Sequence, residues 1–180
     1  RFDRYIDEHG IAHRLAAEDA CQLSNRYPSD KYLLTAEQCS EALLTQVFSP
    51  RIAAPEVFRQ FVYAWLTGNG DLHAKNLSIV ENRKGQYELS PIYDIPSTAP
   101  YGDKSMALLL SGKKDGLSRR RFLTFAHNIG VSSRVAEHVL EEVLTGTEHL
   151  AEQAREELPF DSHRMKELLK VLKNRRRSLL

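Results

Sequence analysis

The alternation of apolar and polar positions changes character several times along the chain, and each change predicts an element. In residues 1–15, RFDRYIDEHGIAHRL, two short extended runs flank the turn signature Asp7-Glu8-His9-Gly10, as in a β-hairpin or hinge segment. A short helix is expected from Ala17 to Ser24. Thr35 stands three residues before Gln38, the spacing of a capping box, and predicts a helix running to about Phe48. Pro55 is expected to open the next helix. There Val57, Phe58, Phe61, Val62, Trp65 and Leu66 recur at three- and four-residue spacing, so one face is buried, and Gly68 supplies the stop.

The pattern then becomes extended. Leu77 to Val80 and Tyr87 to Tyr93 read as two short strands around the polar loop Glu-Asn-Arg-Lys-Gly-Gln. A loop rich in Pro, Ser, Thr and Gly covers Pro96 to Asp103, followed by the apolar run Met106 to Leu110. The remainder reads as helices: one capped by Ser118 and carrying Phe122, Phe125, Ala126 and Ile129, one starting at Ser132 or Ser133, and a last one starting at Asp161 or Ser162. The fold class is therefore mainly α with a small β-hairpin. No internal repeat or low-complexity tract is present.

Composition narrows the class without naming a function. With 180 residues, 42% apolar and 27% charged, the chain has the balance of one ordinary globular domain rather than a disordered, collagenous or rod-like chain. Twenty-five Lys and Arg against 24 Asp and Glu leave a formal charge of +1, so no whole-chain field steers it to nucleic acid or an anionic membrane. Cys21 and Cys39 lack partners at metal-ligand spacing and read as reduced thiols. Neither a membrane span nor a signal peptide is legible, which makes a cytoplasmic location the expectation. The first residue is Arg1 rather than Met, which suggests a processed chain or a piece of a longer one.

Charge is unevenly distributed near the end. Residues 134–158 carry seven Glu against two Arg, and residues 164–180 carry seven Lys and Arg against one Glu, so two antiparallel helices could neutralise each other. Arg175, Arg176 and Arg177 fit a solvated helix end better than a nucleic-acid contact. Lys113-Lys114 and Arg119-Arg120-Arg121 likewise read as solvated positions. His127, His138, His149 and His163 have no ligand-like pairing, and Trp65 belongs to the core.

The residues that carry chemistry are Gly70-Asp71-Leu72-His73-Ala74-Lys75-Asn76, followed after a hairpin by Asp94 in LSPIYDI. A phosphotransferase needs a carboxylate to orient a hydroxyl and accept its proton, here Asp71. It also needs hard oxygen ligands to hold Mg²⁺ against nucleotide phosphates, here Asn76 and Asp94. Placing base and first ligand on one loop, with the second ligand across a hairpin, brings all three to one rim. His73 or Lys75 could stabilise charge on the transferred phosphoryl group, while a loop histidine that merely holds the turn is the plainer reading. Asp, Asn and Gly are also turn formers, so Gly68-Asn69-Gly70-Asp71 alone fits any loop after a helix. The longer string GDLHAKN before a hairpin that ends in Tyr-Asp is far more restrictive.

These strings, with RFDR at the start, RLAAEDACQ at 14–22, KY at 31–32, GNGDLHAKNLS at 68–78 and LSPIYDI at 89–95, resemble the C-terminal lobe of HipA-like serine/threonine kinases, toxins of bacterial toxin-antitoxin systems. The resemblance runs from Arg1 to about Leu110. It implies a protein-kinase-like fold divided into a C-lobe core over 1–110 and a helical subdomain of the same domain over 111–180. Within the core it places a hinge at 1–6, a catalytic loop at 68–78 and a metal-binding segment at 89–95. It also implies ATP and Mg²⁺ as cofactors, Asp71 and His73 as catalytic residues, and Asn76 and Asp94 as metal ligands. The nucleotide strings hold His73, Ala74, Lys75, Asn76, Tyr93 and Asp94. Arg1 and Phe2 match the hinge whose backbone meets adenine, with Asp3 near the ribose. One departure is Ala16-Ala17, where the family often carries Pro-Gln, which removes a polar side chain at position 17.

The family's partners are a protein substrate, typically an aminoacyl-tRNA synthetase, and a DNA-binding antitoxin, so nucleic acid is met only indirectly and no membrane is involved. The N-lobe, with its phosphate-covering loop and lysine, is expected on other residues than these, leaving this piece inactive alone. Two other readings share part of the signal. Aminoglycoside and choline kinases also carry GDLH and a following Asn, but place other residues where KNLSIV and LSPIYDI stand here. A non-catalytic kinase-like binding module is disfavoured by the intact Asp71, Asn76 and Asp94.

Overall fold

A computed structural model describes residues 1–180. The N-terminal hairpin forms as expected: β1 (Arg4–Ile6) pairs antiparallel with β2 (Ala12–Arg14). Its turn is held by Asp7, whose Oδ1 accepts from the backbone N–H groups of His9 and Ile11, both at 2.9 Å. The expected helix from Ala17 is partly a strand. β3 (Ala17–Asp19) pairs with β4 (Ser78–Glu81), and the helix α1 (Ala20–Leu23) starts only where Asp19 and Gln22 close a capping box. Alanine at 16 and 17 favours helix locally, but the ladder to β4 takes the backbone groups that a helix would have used.

Thr35 and Gln38 form the expected capping box of α2 (Ala36–Leu44). This helix ends four residues short of Phe48, whose N–H donates instead to the carbonyl of Tyr87 at the sheet edge. The next helix, α3 (Pro50–Leu66), opens at Pro50 rather than Pro55. Pro50 occupies a first-turn position where no N–H is needed. Pro55 lies inside, and the carbonyl that its missing N–H would have served is that of exposed Arg51, within reach of water. The C-terminus of α3 is a Schellman motif: Gly68, at φ +75°, donates to Trp65 O, and Asn69 donates to Ala64 O.

β4 and β5 (Tyr87–Leu89) complete a three-stranded antiparallel sheet in the order β3-β4-β5. The second strand stops at Leu89 and does not reach Tyr93, because Pro91 has no N–H to donate and the chain from Ser90 onward leaves the ladder. The run Met106–Leu110 enters the core with Leu109 alone exposed, and the Leu109 carbonyl accepts from Ala36 at 2.8 Å. Four helices follow: α4 (Arg119–Asn128), α5 (Ser133–Gly146), α6 (Leu150–Glu157) and α7 (Ser162–Leu179). The break that creates α6 is not written in the apolar periodicity. It falls where the Thr147 hydroxyl caps back onto Val143 O at 2.7 Å.

One cluster of 35 buried residues, from Ala20 to Leu179, forms the core around α3. Phe61 meets Phe125 edge-on at 5.1 Å between ring centroids, and Phe58 contacts both Phe122 and Phe125. Trp65 is buried, as expected. Cys21 and Cys39 are free and buried, and burial pushes the Cys39 thiol up to about 12. His127, His138, His149 and His163 are exposed.

The expected neutralisation between the acidic and basic terminal segments does not occur. The carboxylates of α5 pair instead with Arg119 (Glu137 and Glu141) and Arg59 (Glu142). Arg175 is no solvated helix end: it is 4% exposed, lies 4.1 Å over the Trp65 ring, and donates to the carbonyls of Trp65 and Lys104. Arg176 donates to Leu144 O. Carbonyls in the last turns of α3 and α5 need donors, and the guanidinium N–H groups of Arg175 and Arg176 supply them, which packs α7 against both helices. No helix is long and apolar enough to cross a membrane.

Candidate active site

The Schellman turn after α3 delivers the chain into a loop whose shape is set by its own polar atoms. Buried Asn69 accepts from the Asp71 N–H at 2.6 Å, and the Asp71 carbonyl accepts from the His73 N–H at 2.8 Å and from Asn76 Nδ2 at 3.1 Å. Ala74 donates to Lys31 O, and Gln60 Nε2 donates to Asn76 O, so the loop is tied to two other segments. Gly70 is required by crowding: a Cβ there would lie 2.5 Å from Thr98 Oγ1, 2.7 Å from Ser105 O and 2.8 Å from Asp103 Oδ2.

The Asp71 carboxylate is half exposed, and its two oxygens differ. Oδ1 accepts from the Tyr32 hydroxyl at 2.7 Å and has His73 Nε2 at 3.9 Å, while Oδ2 takes no hydrogen bond. His73 is buried, with Tyr32 edge-on at 5.1 Å. Burial, followed by the charge of Lys31, holds its pKa below the ordinary value, against the opposing pull of Asp71 and Asp94. The shift favours the neutral form of the imidazole. Two buried side-chain polar atoms in the chain lack a partner, Asn69 Nδ2 and His73 Nδ1, and each lies two residues from Asp71. Unsatisfied buried polar groups are rare in folded proteins and need an explanation such as a ligand or a catalytic role.

On the far side of the loop Lys75 Nζ pairs with Asp19 Oδ2 at 2.8 Å, so this ammonium is already engaged. Tyr93 donates to Lys75 O at 2.8 Å and therefore accepts from Ser78 Oγ, 2.6 Å away. Phe2 packs on Tyr93 at 5.3 Å, and Arg1 forms a fork with Asp3 at 3.0 and 2.9 Å. A cavity of about 370 Å³ opens between Arg1, Phe2, Asp3, Glu18, Asp19 and Tyr93, with Ala17 presenting only a methyl group to it. The Arg1-Phe2-Asp3 run thus meets Tyr93, Ser78 and the Lys75–Asp19 pair. A larger cavity, about 550 Å³, approaches Tyr93 and Asp94 from the side of α3 and α5.

Asp94 stands at φ +53°, a left-handed conformation that aspartate tolerates better than bulky residues. Its neighbour Tyr93 donates to Lys75 O, which ties this segment to the 68–78 loop. Asn76 donates its side-chain N–H to the Asp71 carbonyl and so leaves its side-chain oxygen free to act as a ligand atom. An amide oxygen and a carboxylate are a hard donor set that suits Mg²⁺, which takes one or two side-chain ligands and completes its shell with phosphate and water. No group of three or more His, Cys, Asp or Glu side chains is placed to form a metal cage of protein ligands alone.

The loop residues Asp71, His73, Ala74, Lys75 and Asn76 are thus brought together with Tyr93 and Asp94, and Arg1, Phe2 and Asp3 share a cavity with Tyr93. Asp19, Tyr32 and Asn69 lie in the strings at 14–22, 31–32 and 68–78, but local reading gave them no role in the site. Tyr32 reaches Asp71 from 39 residues away. A pattern confined to neighbours does not reveal such a pair.

A family model for the HipA-like C-terminal domain matches residues 1–151. The chain belongs to this family. Among curated relatives, this HipA-like chain is 32% identical over 139 residues to "Putative kinase Y4mE" of Sinorhizobium fredii, covering 73% of this chain and 33% of that protein. It is 26% identical over 157 residues to "Putative kinase" of Haemophilus influenzae, covering 75% and 46%. The chain thus spans between a third and a half of the length of these relatives. Its fold matches a chain in the solved complex of the Shewanella oneidensis MR-1 toxin-antitoxin system HipA, HipB and its operator DNA, with TM-score 0.75 and 19% identity over 97% of this chain and 47% of that one. The mainly helical fold with small antiparallel sheets is that of the HipA C-terminal region.

Proposed function

We propose that this chain carries the phosphoryl-transfer centre of an ATP- and Mg²⁺-dependent serine/threonine-protein kinase, the toxin of a bacterial toxin-antitoxin pair. The observation that carries the reading is the asymmetric carboxylate of Asp71, held through Oδ1 and open at Oδ2, flanked by the two unsatisfied polar atoms of Asn69 and His73. In the reaction, Oδ2 of Asp71 accepts the proton of a substrate hydroxyl. The hydroxyl oxygen attacks the γ-phosphorus, and the bond from that phosphorus to the bridging oxygen of ADP breaks. Asn76 and Asp94 would hold Mg²⁺, which when bound neutralises charge on the phosphate oxygens. Arg1, Phe2, Asp3, Asp19 and Tyr93 line the space for the nucleoside, and Lys75 pairs with Asp19. His73 contributes as a neutral group beside Asp71.

The partners follow from the family. A DNA-binding antitoxin is supported by the Shewanella relative, solved with HipB and operator DNA. An aminoacyl-tRNA synthetase is the substrate that the resemblance implies, with growth arrest as the consequence. The test is phosphate transfer from labelled ATP by the complete gene product, offered protein substrate, aminoglycoside and choline in parallel. Transfer to protein is expected. Asp71→Asn should lower it by about 10²- to 10⁴-fold, the usual contribution of a general base, and Asp94→Ala should abolish magnesium-dependent ATP binding. Transfer to the small molecules instead, or full activity of Asp71→Asn, overturns the reading.

A further inference from the structure

Tyr32 stands in the KY string at 31–32 without an assigned role in the site, yet its hydroxyl is the one side-chain donor on the Asp71 carboxylate. Its position is built from several directions. The 3-10 turn Pro28–Asp30 and the Leu33 N–H to Asp30 O bond fix the backbone on either side of Lys31 and Tyr32. Lys31 O accepts from Ala74 N–H in the catalytic loop, so the segment and the loop are joined through the main chain next to both reacting side chains. The Tyr32 ring meets His73 edge-on at an interplanar angle of 76°, and Lys31 Nζ lies 4.9 Å from the ring centroid. At 43% exposed, Tyr32 is not a core residue held for its bulk.

The contact has a chemical consequence because it uses one oxygen only. A carboxylate that serves as a base must present a lone pair to the incoming hydroxyl in one orientation, and free rotation about its Cβ–Cγ bond would exchange the two oxygens. Tyr32 ties Oδ1 down and His73 walls the same side at 3.9 Å, which leaves Oδ2 as the oxygen that faces substrate. On the kinase reading given above, we infer that Tyr32 is a positioning residue that selects the reacting oxygen of Asp71 and holds it toward the substrate hydroxyl. The hydroxyl remains a donor throughout any ordinary assay, since its bond to Asp71, with burial, pushes its pKa up to about 12. The one side-chain hydrogen bond of Tyr32 goes to Asp71, and among the residues of the nucleotide strings its ring meets His73 alone, so the effect expected of it is on the transfer step rather than on ATP capture.

The experiment compares the complete gene product with its Tyr32→Phe variant in steady-state phosphate transfer to protein, ATP binding and thermal unfolding. Loss of one hydrogen bond to a charged group should lower kcat by about tenfold or more, with ATP KM, ATP affinity and Tm unchanged. Equal kcat in the two proteins overturns the inference. So does a rise in ATP KM with kcat held, which would assign Tyr32 to nucleotide binding, or a fall in Tm parallel to activity, which would make it merely structural. Absence of transfer by the parent protein is a different result and refutes the kinase reading itself, whereas an active parent with an equally active Tyr32→Phe refutes the tyrosine's role alone.

Discussion

Replacing Gly70 by alanine adds a single methyl group at the most crowded point of the active-site loop. That methyl carbon would stand 2.5 Å from Thr98 Oγ1, 2.7 Å from Ser105 O and 2.8 Å from Asp103 Oδ2, all closer than real Cβ contacts permit. Thr98 and Asp103 can rotate away, but Ser105 O is backbone, so either the 97–105 segment or the catalytic loop must move. Overpacking of this kind costs about 1–3 kcal/mol. Most of it should appear as displacement of the loop next to Asp71, because the crowding atoms all belong to the 98–105 segment that faces that loop. A displacement of about 1 Å near reacting groups lowers turnover by about 10². Gly70→Ala should therefore lose about a hundredfold in kcat while its urea unfolding midpoint falls only modestly. Gly146→Ala is the control: its Cβ meets nothing within 4 Å and it ends α5, so it should retain activity and gain up to about 1 kcal/mol from helix propensity. A Gly70→Ala protein with parental kcat and midpoint would show that the crowding is not borne by the loop and would refute the argument.

Two further outcomes follow from buried cations and bases. Arg175→Met keeps apolar bulk over Trp65 but leaves the Lys104 carbonyl unpaired, at about 1–3 kcal/mol, while Trp65 O keeps the Gly68 N–H; relief of a buried charge that has no carboxylate bonded to it offsets part of the loss. A net loss of about 1 kcal/mol is expected in urea unfolding, and a gain in stability would contradict it. His73 titrates in the fold below its ordinary value of 6.5, so the unfolded chain takes up a proton first as the pH falls. Stability associated with it is complete above 6.5 and declines as the pH drops from there through the lowered folded value. His73→Gln should flatten that part of the Tm-against-pH curve; an unchanged slope would show that His73 is not the group responsible.

Elements whose signals are local were legible in the chain. The buried face of α3, the Thr35 capping box, the Gly68 stop and the β4–β5 hairpin each depend on residues within a few positions of one another. So does the spacing of Asp71 and Asn76. What escaped depends on distant partners: β3 exists because Ser78–Val80 lies beside it, α2 ends early because Phe48 is drawn to Tyr87, and Arg175 turns inward because two carbonyls and Trp65 await it. Asp19 shows the ambiguity most directly. Its cap on α1 is readable from Gln22, whereas its ion pair with Lys75 spans 56 residues and is not.

The Arg175 strut also imposes an order on synthesis. It is made 71 residues after Lys104, whose carbonyl it holds, and Lys104 lies in the segment packed against Gly70. At about 5–20 residues per second, that interval lasts roughly 4–14 s on the ribosome. Throughout it the 68–78 loop, Tyr32 and Asp94 have all been translated, but the guanidinium that holds the Lys104 carbonyl has not. A nascent chain therefore carries Asp71 and its neighbours before it carries the brace on the segment packed against them.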